Sequence, residues 1–85
     1  MESIDVIQHP LATEKSIRLM ESENKLIFVV DHRASKQQIK KAIEELFKAK
    51  VVSVNTFIFK NQKRAYVKFS QETPAIDIAT NLGLM

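Results

Sequence analysis

The sequence predicts an α+β fold: a small sandwich in which helices pack on a mostly antiparallel four-stranded sheet, in the order β-α-β-α-β-β-α. Strand and helix patterns alternate through the first half of the chain, and two adjacent strand patterns follow that can form a hairpin. A hairpin cannot belong to a purely parallel sheet. No repeat or Gly/Ser linker interrupts the 85 residues, so residues 1–85 are predicted to form a single domain.

The N-terminal segment predicts an edge strand followed by a short helix. Residues 3–8 are apolar enough for a strand, and we expect His9-Pro10 to end it because proline has no amide hydrogen for the ladder. Thr13 is a suitable N-cap for a helix that ends near Asn24. The residues expected on the buried side of this helix are Ile17, Leu19 and Met20.

The next two elements are a buried strand and a strongly patterned helix. Residues 25–30 have high β propensity and are apolar on both faces, which predicts a central strand covered on both sides. Ser35 and Gln38 form a capping box, after which apolar residues recur at helical spacing. These apolar residues are Ile39, Ala42, Ile43, Leu46 and Phe47. Lys36 and Lys40 lie on the outer face near the start of this helix, where the helix dipole disfavours cations. Because this placement is electrostatically unfavourable, it indicates that the two lysines serve another purpose.

Residues 51–59 and 64–70 predict a hairpin with a tight turn at residues 60–63, in which Lys60 pairs with Lys63. Its two faces then differ sharply in composition. One face is expected in the core and carries Val52, Val54, Thr56, Ile58, Ala65, Val67 and Phe69. The other, here called the aromatic-basic face, carries Asn55, Phe57, Phe59, Arg64, Tyr66 and Lys68.

A short helix is predicted to close the domain. Thr73 is the expected cap, Pro74 the first helical residue, and Gly83 the terminator. With this helix in place, a core adequate for an independently folding domain can be named. It comprises Leu26, Phe28, Val30, Ile39, Ile43, Leu46, Val54, Ile58, Val67 and Phe69.

Charge is segregated along the chain. The net charge is only +3, yet ten of the thirteen Lys and Arg lie within residues 32–68, where only Glu44 and Glu45 oppose them. Within the hairpin, aromatic and cationic side chains are interleaved, as stacking on bases and neutralising phosphates would require. A polyanion partner is the favoured interpretation, and ordinary solubility is the alternative for the lysines.

The sequence pattern does not decide whether a helix covers the aromatic-basic face. A small α+β domain can cover both faces of its sheet, so Phe57, Phe59 and Tyr66 either lie beneath a helix or remain free to stack on RNA. Burial is the favoured interpretation for Phe57. Arg64 and Lys68 cannot be buried without partners, so the rim of this face must be wet or bound to something negative.

The composition argues against catalysis, cofactors and metals. The chain has no Cys, which excludes disulfides and thiolate chemistry, and its one Gly leaves no phosphate-cradling loop. His9 and His32 lie near no nucleophile signature, and Glu44-Glu45 is interpreted as solvated surface. The acidic N-terminus and the short apolar runs predict a cytoplasmic protein without membrane insertion.

Three motifs carry a resemblance to a known family: residues 10–15 (PLATEK), residues 54–56 (VNT) and, most specific, residues 63–68 (KRAYVK). With them, the sequence resembles the L-twenty-three family of large-subunit ribosomal proteins over essentially its whole length. A leucine is usual after the third motif, and Phe69 replaces it conservatively. The tight turn at residues 60–63 is similar to the archaeal type, because bacterial members carry a long basic loop there, and it argues against a role lining the tunnel.

The resemblance implies a non-enzymatic structural protein of the cytoplasmic ribosome, bound to ribosomal RNA near the exit of the nascent-chain tunnel. Its implied partners are large-subunit RNA, neighbouring proteins such as the L-twenty-nine protein, and the signal recognition particle or other tunnel-exit factors. Outside the ribosome a monomer is expected.

Together, resemblance and charge name two sets of site residues. The expected RNA-binding residues are Lys15, Lys36, Lys40, Asn55, Thr56, Lys60, Lys63, Arg64, Tyr66 and Lys68. The expected protein-docking residues are Glu14, Arg18 and Glu21, for which a plain solvated helix face is the alternative.

Two other classes of function stay open at this point. A free-standing protein-interaction module would use the first helix and treat the lysines as surface. A small enzyme of the acylphosphatase kind has a similar length, but it would need an anion-cradling loop that the sequence lacks.

Overall fold

The computed structural model describes residues 6–11 and 13–82 and has the predicted α+β architecture. The elements in chain order are β1 (Ile7–Pro10), α1 (Glu14–Glu23), β2 (Lys25–Val30), α2 (Lys36–Phe47), β3 (Val51–Phe59), β4 (Gln62–Phe69) and α3 (Ala75–Asn81). The strands form one antiparallel sheet in the order β1-β2-β4-β3. Within the described ranges, no helix is long and apolar enough to cross a membrane.

All three helices contribute to one hydrophobic core on one side of the sheet. Phe28 lies at the centre of this core and stacks on Phe47 of α2, with ring centroids 5.9 Å apart. The strand residues in the core alternate along β2 and β4, as a sheet with one helix-covered face requires; they are Leu26, Phe28, Val30, Ala65, Val67 and Phe69. Ile27 and Val29 point to the opposite side and lie outside this core cluster.

The predicted helix starts are confirmed for α1 and α2. Thr13 Oγ1 accepts from the Ser16 amide and Ser35 Oγ from the Gln38 amide, and both capping boxes are complete. The predicted cap of α3 is wrong. Its N-cap is Pro74, which makes no side-chain cap bond, and Thr73 Oγ1 instead accepts a hydrogen bond from the Lys50 amide at 3.3 Å. The predicted terminator, Gly83, lies outside the described residues.

The first strand is an edge strand, as predicted, but it includes His9 and Pro10 rather than ending before them. The amide of Leu11 donates to the Ile27 carbonyl, so the neighbouring Pro10 nitrogen points away from β2 and needs no hydrogen. Proline is therefore tolerated inside this edge strand. Residues 3–5 of the predicted strand lie outside the described residues.

The two-residue hairpin turn lies one residue earlier than predicted. Lys60 and Asn61 both have positive φ (49° and 65°), and Phe59 pairs with Gln62. The predicted pairing of Lys60 with Lys63 is therefore wrong, and residues 54–59 of β3 each pair two positions away from the predicted partner. Because side chains alternate with a period of two, this shift leaves residues 54–59 on their predicted faces.

Three predicted core residues are exposed instead. Val52 is 58% exposed because a bulge between Val51 and Ser53 seats Val51, not Val52, opposite Phe69. Ile58 lies next to the turn, and Leu46 lies in the last turn of α2. Both sit at the ends of their elements, where neighbouring elements leave them uncovered.

Candidate nucleic-acid interface

The aromatic-basic face is not covered by a helix. Phe57 is 37% exposed and Phe59 45% exposed, so the favoured interpretation that Phe57 is buried is wrong. The physical reason is that the buried side chains of all three helices belong to the core on the other side of the sheet. The aromatic rings and cations therefore lie together on a face of the sheet that no helix covers.

Phe57 and Tyr66 form an aromatic corner on this face. Their ring centroids are 4.9 Å apart and the ring planes meet at 75°, an edge-to-face contact. Tyr66 is half-buried, and it lies beside Ile27 in the β2–β4 ladder and beside Asn55 in the β3–β4 ladder. The corner therefore joins the edge strand to the middle of the sheet.

Three cations lie over the rings of this face. The Arg64 guanidinium carbon is 4.7 Å from the centroid of Phe59, and Lys60 Nζ is 5.4 Å from the same ring. Lys15 Nζ, from the start of α1, lies 5.7 Å from the centroid of Tyr66. Gln62 Oε1 accepts from Arg64 at 3.1 Å and fixes the guanidinium. Such contacts keep cations close to the rings, where they can meet phosphates.

No carboxylate offsets these cations within the sheet. None of the residues in β1 to β4 is Asp or Glu. The acidic residues in the described part of the chain lie on helices and loops, and they are Glu14, Glu21, Glu23, Asp31, Glu44, Glu45, Glu72 and Asp77. The acidic residues of the described part are thus absent from the strands, whereas cations occur on strands and helices alike.

Lys25 is one residue of this surface that sequence reasoning missed. It lies opposite Lys68 in the β2–β4 ladder, and it forms an ion pair with Glu23 at 3.4 Å. Lys25 could be placed on this surface only from the pairing of β2 with β4. These strands are far apart in sequence, so the pattern of a single strand does not contain that information.

Four of the ten expected RNA-binding residues lie elsewhere. Lys63 and Thr56 are on the helix side of the sheet, and Lys63 Nζ donates to the carbonyls of Ala34 at 2.6 Å and His32 at 3.4 Å. Lys36 and Lys40 are exposed on α2, in the helical layer. The structure brings Asn55, Lys60, Arg64, Tyr66 and Lys68 together, with Lys15 above them.

The expected docking residues are exposed on α1. Arg18 Nη2 and Glu14 Oε1 form an ion pair at 2.7 Å, with side chains 76% and 81% exposed respectively. Glu21 is exposed as well. An ion pair this exposed contributes little to stability, so its residues remain available to a partner.

Two carboxylates outside these surfaces, Asp31 and Glu44, form structural contacts. Two hydrogen bonds from the Arg33 side chain and one from its amide lower the pKa of Asp31 to about 2. Glu44, predicted to be solvated surface, is partly buried and accepts from the Val51 amide at 3.4 Å. Across residues 6–11 and 13–82, no group of three or more His, Cys, Asp or Glu could hold a metal.

Comparison with known proteins identifies the family. Residues 5–80 match the family model described as Ribosomal protein L23. The large ribosomal subunit protein uL23 of Methanococcus vannielii is 46% identical over 85 residues, and that of Methanococcus aeolicus is 44% identical. The protein of the same name from Methanococcus maripaludis is 42% identical, and each alignment covers 99% of both chains. The chain therefore belongs to the ribosomal protein L23 family.

Proposed function

We propose that this protein binds ribosomal RNA through its aromatic-basic face, as a structural component of the large subunit of the cytoplasmic ribosome. Membership of the family makes it a large-subunit ribosomal protein, and the family is structural rather than enzymatic. The observation that carries the RNA-binding proposal is the uncovered sheet face, on which Phe57 is exposed, Tyr66 and Arg64 are partly exposed, and no strand residue is acidic.

Electrostatics favours RNA over a protein partner for this face. A protein surface that met it would need carboxylates for Lys15, Arg64 and Lys68, whereas phosphates supply negative charge at every nucleotide. Aromatic rings among these cations also suit RNA, since base planes can stack on them. Lys36 and Lys40, in the other layer, are proposed as additional phosphate contacts.

The helical layer is proposed to face other proteins near the exit of the nascent-chain tunnel. Glu14, Arg18 and Glu21 are exposed on α1, and they give this helix both signs of charge. We propose this side of α1 as part of the docking surface for the signal recognition particle or another tunnel-exit factor. A neighbouring ribosomal protein such as the L-twenty-nine protein is a further proposed contact.

The salt dependence of RNA binding tests the proposed interface. Arg64→Ala combined with Lys68→Ala should lower the slope of log affinity against log salt by roughly two for large-subunit RNA, since each lost phosphate contact removes about one unit. Lys41→Ala combined with Lys50→Ala is the matched control, because it removes the same charge outside this face. If the Arg64/Lys68 double variant keeps the slope of the unmutated protein, or lowers it no more than the control does, the aromatic-basic face is not the RNA interface.

A further inference from the structure

We infer that Phe57 and Tyr66 form a stacking site for one unpaired RNA base. This inference rests on the proposed function and deepens it, because it states what kind of nucleotide the aromatic-basic face accepts. The edge of one ring meets the face of the other at 75° in the Phe57–Tyr66 pair. A flat base can stack on one ring of such a corner while the second ring limits its sliding.

The three aromatic rings of the face are not equivalent. Phe59 already has two cations within 5.4 Å of its centroid, Arg64 and Lys60. Tyr66 has Lys15 over it and is half-buried. Phe57 is held in place by its contact with Tyr66 and is 37% exposed. We therefore assign the stacking surface to Phe57 and the positioning of its ring to Tyr66.

Polar groups suited to a nucleotide surround Phe57. Asn55 precedes it by two residues in β3, so both side chains lie on the same face, and Asn55 is exposed. Its amide offers both donors and an acceptor to the edge of a base. Arg64 lies directly opposite Phe57 in the ladder and can reach a flanking phosphate. Ring, amide and guanidinium thus match the base plane, base edge and phosphate of one nucleotide.

Base pairing decides which RNA can use this site. In a duplex the base planes are covered by their neighbours, and an A-form helix presents chiefly phosphates and 2′-hydroxyls to a protein. A binder of phosphates alone would gain nothing from an exposed phenyl ring, whose contact with water is unfavourable. The site therefore requires an unpaired nucleotide, as found in a loop, bulge or single-stranded segment.

A comparison of single-stranded and duplex RNA tests this inference. The probes are a fluorescein-labelled adenosine dodecamer and the same strand annealed to a uridine dodecamer, titrated at low salt by anisotropy. Phe57→Leu should weaken binding of the single strand by roughly 5- to 150-fold, the range for one stacked base, with little effect on the duplex. Phe59→Leu is the matched control and should have the smaller effect, since cations already cover that ring.

Intrinsic fluorescence gives a second readout. The chain has one Tyr and no Trp, so its tyrosine emission comes from Tyr66 alone. Stacking beside Tyr66 should quench this emission when the single strand binds, and Phe57→Leu should reduce the quenching. Phe57→Tyr keeps an aromatic ring and should retain the affinity of the unmutated protein, which separates stacking from a folding defect.

The outcomes distinguish this inference from the proposed function. If Phe57→Leu weakens single-strand and duplex binding equally, or weakens neither, the stacking site is refuted while the salt-dependent interface stands. If Phe57→Tyr loses as much affinity as Phe57→Leu, the aromatic ring is not the binding element and the inference also fails. If the unmutated protein binds neither these probes nor large-subunit RNA, the proposed function fails and this inference with it.

Discussion

Asn24 connects three elements of the fold, and its replacement by alanine tests how the domain is held together. The residue ends α1 in the left-handed conformation, with φ 57° and ψ 40°. Its Nδ2 donates to the carbonyls of Phe69 and Ser70, each at 3.0 Å, at the end of β4. Its Oδ1 accepts from the Ala75 amide at 2.6 Å and so supplies the cap that α3 lacks locally.

The expected cost of Asn24→Ala follows from these contacts. Three well-formed hydrogen bonds at about 1 kcal/mol each give about 3 kcal/mol. Alanine in the left-handed conformation adds about 1 kcal/mol, for a total of about 4 kcal/mol. Asn24→Gly loses the same hydrogen bonds but accepts positive φ, so it should cost about 1 kcal/mol less than alanine. A domain of this size has about 5–15 kcal/mol of stability in total.

Urea unfolding followed by circular dichroism measures these differences. Asn81→Ala, at an exposed position in the last turn of α3, serves as the control and should change stability by less than about 0.5 kcal/mol. The reasoning is refuted if Asn24→Ala costs less than about 1 kcal/mol, or if Asn24→Gly costs more than Asn24→Ala. The first result would deny the role of the hydrogen bonds, and the second that of the left-handed backbone.

Three further predictions concern the core, pH and docking. Phe28→Ala should lower the free energy of unfolding by roughly 3–5 kcal/mol in the same urea assay, because Phe28 is fully buried. The isolated unmutated protein should unfold cooperatively, and a gradual thermal transition would contradict that expectation. Because Arg33 lowers the pKa of Asp31 to about 2, the carboxylate stabilises the fold above about pH 4, and this contribution is lost as the pH falls towards 2. Asp31→Asn should therefore make the urea midpoint less dependent on pH between about 4 and 2, and an unchanged pH dependence would exclude a role for this ion pair. Glu14→Lys should weaken binding of the signal recognition particle to reconstituted ribosomes by at most about 1 kcal/mol if Glu14 pairs with the factor at the solvated rim of the interface. Equal affinity would leave α1 as a solvated surface.

Local signals were enough to predict most of the architecture. Ser35 and Gln38 cap α2 through contacts within one turn, so the sequence pattern contains the whole cause of the helix start. The predicted register of β3 and β4 is wrong by two residues, yet residues 54–59 and 64–69 lie on their predicted faces because strand side chains alternate with a period of two. A prediction of which face a strand residue occupies therefore stays correct when the register is wrong by an even number of residues.

Features that depend on distant contacts could not be predicted in the same way. Asn24 bonds to Ala75, 51 residues away in sequence, so nothing near Pro74 indicates that the cap comes from another element. Lys63 is expected to bind RNA from its charge and from the motif of residues 63–68, and neither signal contains the hydrogen bond that its ammonium group donates to the carbonyl of Ala34, 29 residues away. The bulge that turns Val52 outward could not be predicted either, because it depends on how Val51 pairs with Phe69 of β4.

The openness of the aromatic-basic face has a cause that the sequence does contain. Arg64 and Lys68 alternate with the buried residues of β4, so a helix over this face would have to supply carboxylates to both cations. Ile27 and Val29 are nevertheless only 4% and 2% exposed on that side.

Their cross-strand partners are Tyr66 and Arg64, and long side chains of this kind can cover apolar neighbours with their apolar parts. The same two side chains are proposed to meet RNA, so their removal would disturb packing as well as binding. Phe57 lies on the edge strand β3, where it is exposed and contacts Tyr66. Its replacement removes this one aromatic contact and no buried side chain, so it disturbs the sheet less than the loss of Tyr66 or Arg64 would.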